Sequence, residues 1–305
     1  MNDAALPPPH LQPRRSLFLT VVPPIILPVF LSAGDGTVVA TALPAIAASF
    51  GEVELLSWII VANLIAGTVA APAYGRLADL FGRKPMMIVA LLVFMAASVV
   101  CALSPNFWWL LGGRVLQGLG GGGLMTLAQA LIGELVPPRE RGSYQGYLSA
   151  NIVAGTTVGP VAGGFITQVW GWHAVFLCYL PLGLLAILLV LRLPPTAKRT
   201  GRASFDLTGM VLLTSFIVPL LIAVTQLQRL SVDMLPRLGL LLVVAAVVLV
   251  VLIRQQRRAS SPLLPLPLLR EPSFWRADLM GACSGASLVA MMTFLPIYFQ
   301  VVTGA

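Results

Sequence analysis

Residues 55–104 read LLSWIIVANLIAGTVAAPAYGRLADLFGRKPMMIVALLVFMAASVVCALS. Two apolar runs of about 20 residues flank the charged stretch GRLADLFGRKP at 75–85, and each is long enough to cross a hydrocarbon core of about 30 Å. Inside a bilayer the backbone must satisfy its own hydrogen bonds, so runs of this kind are helices. The short polar break makes the pair a hairpin of two spanning helices.

The same pattern extends in both directions. Apolar runs between polar breaks give nine candidate spans, at 17–47, 55–74, 85–104, 107–133, 143–167, 172–191, 207–227, 236–253 and 277–303. Pro23, Pro24 and Pro28 interrupt the first run, which continues well past signal-peptide length, so it reads as an uncleaved helix. Composition agrees. Of 305 residues 58% are hydrophobic and 10% charged, with mean hydropathy +0.92. A soluble domain carries about 45–50% apolar and about 25% charged residues. A soluble enzyme, a secreted disulfide scaffold and a disordered chain are excluded, and the expected fold is an all-α polytopic membrane protein in contact with the lipid bilayer.

A net charge of +8 invites a nucleic-acid reading, but the distribution decides against it. With the N-terminus placed in the cytoplasm, sixteen of the 19 bases fall on the inner side and only Arg229 and Arg237 on the outer, with Arg114 inside a span. That is the positive-inside bias of a multi-pass protein of the cell (inner or plasma) membrane, and no nucleic-acid partner is expected. The order of spans divides the chain into a cytoplasmic tail (1–16), an N-terminal six-helix bundle (17–191), a linker (192–206), two additional helices (207–253), a second linker (254–276) and one further helix (277–305).

Cys101, Cys178 and Cys283 are isolated in apolar runs, and neither His10 nor His173 has neighbours that suggest a metal site. Cys283 and Ser284 in GACSG lack a histidine in a nearby span to act as base. There is no Walker loop and no H-E-x-x-H, so neither an enzyme nor ATP driving is expected, and no cofactor.

Two ionisable residues lie well within spans: Asp35 in SAGDGTVVATALP and Arg114 in LLGGRVLQGLGGGG. At mid-membrane each costs about 2.5–3.5 kcal/mol on the gentler scales, so both are expected to face the bundle interior, as a functional site, a structural ion pair, or both. Asn63, Gln117 and Asn151 are candidates for lining the same interior, although each also suits an interhelical hydrogen bond. Gly118, Gly120 and Gly123 fit G-x-G-x-x-G, but no strand precedes them, and within a membrane helix they read as a packing face. Gly155, Gly159 and Gly163 recur on one face of the fifth span, where Pro160 removes a backbone hydrogen bond. In the 75–85 loop, Gly75 and Gly82 allow close backbone approach at the helix ends, and Asp79 lies among Arg76, Arg83 and Lys84.

These segments together resemble the major facilitator superfamily. GRLADLFGRK (75–84) resembles its signature loop G-x-L-a-D-r-x-G-r-k, with Leu80 in place of a usual Arg, and RVLQGLGGG (114–122) resembles its fourth-helix motif. AGTTVGPVAGG (154–164) resembles the fifth-helix antiporter motif typical of exporters. DGTVVATALPAI (35–46) is similar to the first-helix motif of the 14-helix drug:proton antiporters of the EmrB/QacA type, with Gly34 replacing a Leu and Ala40 an Asn. WGWHAVFLCYLPLG (170–183) is similar to the sixth-helix start of that family, with Ala174 and Tyr179 in place of the usual Trp and Asn. FDLTGMVLL (205–213) resembles the start of its two additional helices, and LPIYFQVVTGA (295–305) the end of its ninth.

The resemblance implies a proton-coupled multidrug efflux transporter of hydrophobic or cationic small molecules, with the proton gradient as driving force. Asp35 would titrate or recognise cations, and Arg114 would tune it. Gly75, Asp79, Gly82, Arg83 and Lys84 would form the cytoplasmic gate. Gly155, Gly159, Pro160, Gly163 and Gly164 would form the antiporter helix, a kinked face between the two halves. Two alternatives stand beside it: export of one specific metabolite or siderophore, and a nontransporting membrane protein that associates with a full-length transporter. Accessory efflux proteins are unknown. A family member has 14 helices and nine are legible here, so a fragment ending after the ninth is expected.

Overall fold

The computed structural model describes residues 14–194, 206–227, 235–259, 263 and 271–303, with side chains from 21 onward and, in the last helix, at 272–287, 290 and 291. The expected tail (1–13), much of both linkers (195–205, 260–262 and 264–270) and the stretch 228–234 lie outside the described residues. Among the described residues ten α-helices follow one another, with a 3-10 turn at Val53–Leu55 before the second: α1 (Arg14–Phe50), α2 (Leu56–Phe81), α3 (Arg83–Ala102), α4 (Phe107–Leu135), α5 (Arg141–Trp170), α6 (Trp172–Leu177), α7 (Tyr179–Leu191), α8 (Leu207–Gln226), α9 (Leu235–Arg258) and α10 (Pro272–Thr303). No strand occurs among the described residues. Among the described residues, eight helical segments are long and apolar enough to cross a membrane. The expected ninth span, 277–303, falls in α10, most of whose second half lies outside the described side chains.

Local chemistry sets the boundaries. The Asn106 side chain accepts the Trp109 N–H at 2.9 Å and so caps α4, satisfying one of the donors a helix start leaves open. Asp206 does the same for α8, accepting from the Gly209 N–H at 2.8 Å. Its carboxylate also receives the Gln255 and Gln256 amides of α9. Partial burial works to raise the Asp206 pKa, but these hydrogen bonds outweigh it and hold the carboxyl below the ordinary range.

Three boundaries correct the expectation from sequence. The loop at 75–85 shrinks to one residue: Gly82, at φ +96°, turns α2 into α3 in a conformation that only glycine adopts without strain. Gly75 instead lies inside α2, where a methyl group would only touch Thr126 in ordinary contact. The sixth span is two helices, α6 and α7, divided at Cys178. Pro181 has no N–H to offer the Leu177 carbonyl, which breaks the ladder there. Helix α9 continues to Arg258, so Arg254, Arg257 and Arg258 ride on the helix and not on a linker beginning at 254.

Packing is organised around α4, which lies against α2 and α3, while α5 lies against α1, and α7 against α1 and α3. Helices α8 and α9 pair with each other, and α8 rests on α2. Glycine makes these approaches possible. A methyl at Gly118 would strike Asn63 of α2, one at Gly122 the Gly67 backbone, and one at Gly120 the Phe94 backbone of α3. The G-x-G-x-x-G segment is therefore a packing face. The fifth-helix stripe packs too: Gly155, Gly159 and Gly163 lie on Phe30, Gly34, Thr37, Val38 and Thr41 of α1. The stripe is thus buried inside the bundle, while Pro160 is exposed on another side of α5 and Gly164 has open space around its Cα. Outward faces are apolar, as lipid solvent requires: Leu240, Val243, Val247 and Val250 of α9 are all exposed.

Gly122→Ala is expected to lower stability by about 1–3 kcal/mol, because the neighbour it meets is backbone and cannot rotate away. Gly164→Ala, with nothing to strike, is expected to stay within about 0.5 kcal/mol. Thermal unfolding of the purified protein in detergent separates the two.

Candidate functional site

Helix α1 brings Asp35 and α4 brings Arg114 to a single point, where both are buried, at 2% and 0% exposure. Arg114 Nη1 donates to Asp35 Oδ2 at 2.8 Å and Oδ1 at 3.0 Å, and to Gln117 Oε1 at 2.6 Å. Arg114 Nε donates to the Ile59 carbonyl of α2 at 3.1 Å. From α2, the Asn63 amide donates to Asp35 Oδ2 at 2.5 Å. A second line of bonds supports the guanidinium from α3: Gln117 Nε2 donates to Ser98 Oγ at 3.0 Å, and Ser98 donates to the Phe94 carbonyl at 2.8 Å. Four helices thus converge on one ion pair. In a medium that solvates charge poorly, such a pair persists only when its remaining donors and acceptors are also engaged.

Asp35 also lines an open cleft of about 440 Å³ between α1, α2 and α4, together with Ser32, Asn63, Gly67, Phe94 and Met125. The walls are mainly apolar, with Asp35, Asn63, Ser32, Thr68 and Thr126 as the polar side chains. The cleft is large enough for a small organic molecule.

The structure sorts the three interior amides. Asn63 lines the cleft as expected. Gln117 does not, since it is fully buried behind Arg114, bonded to the guanidinium and to Ser98. Asn151 does not either. Its amide donates to the Ile26 carbonyl of α1 at 2.9 Å and ties α5 to α1.

At the Gly82 turn the basic residues hold helix ends together. Arg83 pairs with Glu134 at 2.9 Å and donates to the Ala130 carbonyl at 2.5 Å, both in the last turns of α4. Lys84 donates to the Leu191 and Leu193 carbonyls at 2.8 and 2.5 Å, placing a cation on the orphan carbonyls of the C-terminus of α7. Asp79 is half-buried in the last turn of α2. Sequence reasoning missed Ser98, Glu134 and the Ile59 carbonyl. It noted Tyr179 only as a departure from a motif, yet that side chain is buried beside the ion pair. Nothing in the local pattern marks such residues, because each acquires its role from a different helix.

A family model described as "Major Facilitator Superfamily" matches residues 25–305, and the chain belongs to that superfamily, with several helices able to cross a membrane. It is 33% identical over 302 residues to the multidrug transporter protein MdtP of Bacillus subtilis (strain 168), an alignment covering 96% of this chain and 54% of that protein. It is 35% identical over 297 residues to the efflux pump dotC of Dothistroma septosporum (strain NZE10 / CBS 128990), covering 95% of this chain and 51% of the pump. The chain spans about half the length of these curated relatives. Among solved structures, the xylose transporter XylE from E. coli in a partially occluded inward-open conformation superposes with a TM-score of 0.55 at 19% identity. That match covers 59% of this chain and 49% of XylE, and it supports the fold.

Arg114→Leu is expected to cost about 3–5 kcal/mol, because it leaves the Asp35 charge buried without a counter-ion. Asp35→Asn keeps a carbonyl oxygen for Arg114 Nη1 to bond, and is expected to cost less, about 1.5–3 kcal/mol. Thermal unfolding in detergent of both variants ranks them.

Proposed function

We propose that the protein works in a proton-coupled efflux transporter for hydrophobic or cationic small molecules, seated in the cell membrane with its N-terminus in the cytoplasm. The observation that carries this reading is that one carboxylate, Asp35, is at once a cleft wall and the buried partner of Arg114. A proton on Asp35 removes the charge that holds Arg114. A cation in the cleft competes with Arg114 for the same oxygens. Proton and cationic substrate therefore exclude each other at Asp35, and such negative linkage between two ligands is what antiport needs. Each proton moved inward down 100 mV contributes about 2.3 kcal/mol, enough to bias the cycle.

The ties of Arg83 to α4 and of Lys84 to α7 support a gate at the cytoplasmic end, where opening must break charge-assisted bonds. Relatives named as a multidrug transporter and an efflux pump support the direction of transport.

The test uses inverted membrane vesicles carrying the product of the complete reading frame. Energised vesicles acidify their lumen, and ethidium should then collapse part of the pH gradient as it exchanges for protons. Asp35→Asn is expected to abolish that collapse at equal protein level. An undiminished collapse in Asp35→Asn sinks the coupling role. Competition by several unrelated cations supports a broad substrate range, whereas a single narrow competitor favours export of one metabolite.

A further inference from the structure

Two polar atoms near the ion pair are buried with no hydrogen-bond partner: Arg114 Nη2 and the Tyr179 hydroxyl. Both belong to the same charge cluster, since the Tyr179 hydroxyl interacts with both Asp35 and Arg114. Buried donors and acceptors are almost always satisfied, so two orphans at one site mark a position whose bonds are made in another arrangement of the same groups. A hydroxyl is suited to both vacancies, because it donates one hydrogen bond and accepts others simultaneously.

Tyr179 is also held for this task. It is the first residue of α7, immediately after the break at Cys178. Its ring packs edge-on against Phe94, with centroids 5.4 Å apart. Phe94 is the residue whose carbonyl anchors Ser98, and through Ser98 and Gln117 the far side of Arg114. The phenol ring and the amide line therefore share one support on α3, beside the guanidinium. Asp35 accepts from Arg114 on both oxygens and from Asn63 on Oδ2, which leaves capacity on Oδ1 for one more donor. The titratable and charged groups around the phenol are Asp35 of α1, Arg114 of α4 and its own neighbour Cys178, while Cys101 of α3 faces the same ion pair.

Building on the proton-coupling reading above, we propose that Tyr179 is a positioning residue whose hydroxyl bridges the ion pair as it opens, donating to Asp35 and accepting from Arg114 Nη2. The phenol keeps its proton throughout. With Asp35 charged, the hydroxyl donates to the carboxylate. With Asp35 protonated, its oxygen lone pair takes the Nη2 donor that has lost its counter-ion, so the guanidinium remains satisfied while the pair is apart. An asparagine side chain also carries a donor and an acceptor together.

The experiment compares Tyr179→Phe, Tyr179→Asn, Asp35→Asn and the unaltered protein, each from the complete reading frame, in the vesicle assay from pH 5.5 to 8.5. Tyr179→Phe keeps the ring on Phe94, so it is expected to bind ethidium within about twofold of the unaltered protein. Its transport rate is expected to fall about tenfold, with the pH profile displaced by about one unit, the size of one lost hydrogen bond to a titrating group. Tyr179→Asn is expected to return the profile towards that of the unaltered protein. A Tyr179→Phe profile that overlays the unaltered one, with Asp35→Asn inactive, overturns the role of Tyr179 alone. Full transport by Asp35→Asn overturns the coupling reading and this one with it. Should Tyr179→Phe fail to accumulate, Tyr179→3-fluorotyrosine preserves the fold while acidifying the hydroxyl. A displaced profile then supports the assignment and an unchanged one overturns it.

Discussion

The structure turns on the cost of placing a guanidinium where water cannot solvate it. Arg114 is the largest of the fully buried side chains, and the surrounding helices are arranged to answer it. Helix α1 supplies the counter-ion, α2 a backbone carbonyl, α3 the serine that holds Gln117, and α4 the arginine itself. Such a pair is weak evidence for stability, because apolar residues of similar volume often serve as well. On the reading proposed above, its use lies in being conditional. Neutralise the carboxylate, and the most expensive group in the bundle must find other partners.

The pair also depends on packing that tolerates little change around it. Asn63 reaches Asp35 and the Ile59 carbonyl reaches Arg114 only because α2 lies almost backbone to backbone on α4, over Gly118 and Gly122. A larger residue at Gly118 would strike Asn63 itself and push its amide from the carboxylate. The glycines thus set the distances on which the electrostatics depend, and the packing face and the charge site are one device.

Much of this was legible in the sequence, and the boundary of what was legible has a physical cause. Apolar runs announce helices because backbone polar groups in lipid must be satisfied locally. Asp35 and Arg114 stood out because a charge in such a run is expensive wherever it points. The direction in which a side chain points is a different matter, being settled by a neighbouring helix. Gln117 and Asn151 look alike along the chain, yet one braces Arg114 and the other ties α5 to α1. The Gly155, Gly159 and Gly163 stripe was visible, but its partner on α1 was not. Gly82 was read as one of two loop glycines, whereas a single positive φ makes the whole turn.

Helix α4 links the two ends of the argument. Arg114 and Ala130 lie on it sixteen residues apart, about 24 Å at about 1.5 Å per residue. No proline interrupts the helix between them, and its glycines are clasped on both sides by α2 and α3, so close packing offsets the looseness glycine brings. Arg83 and Glu134 grip the far end. A helix held this way moves as a unit more readily than it bends. A displacement of Arg114 along the axis is consequently also a displacement of the carbonyl that Arg83 holds. Site and helix-end clamp share one rod, and neither can be rearranged without straining the bonds of the other.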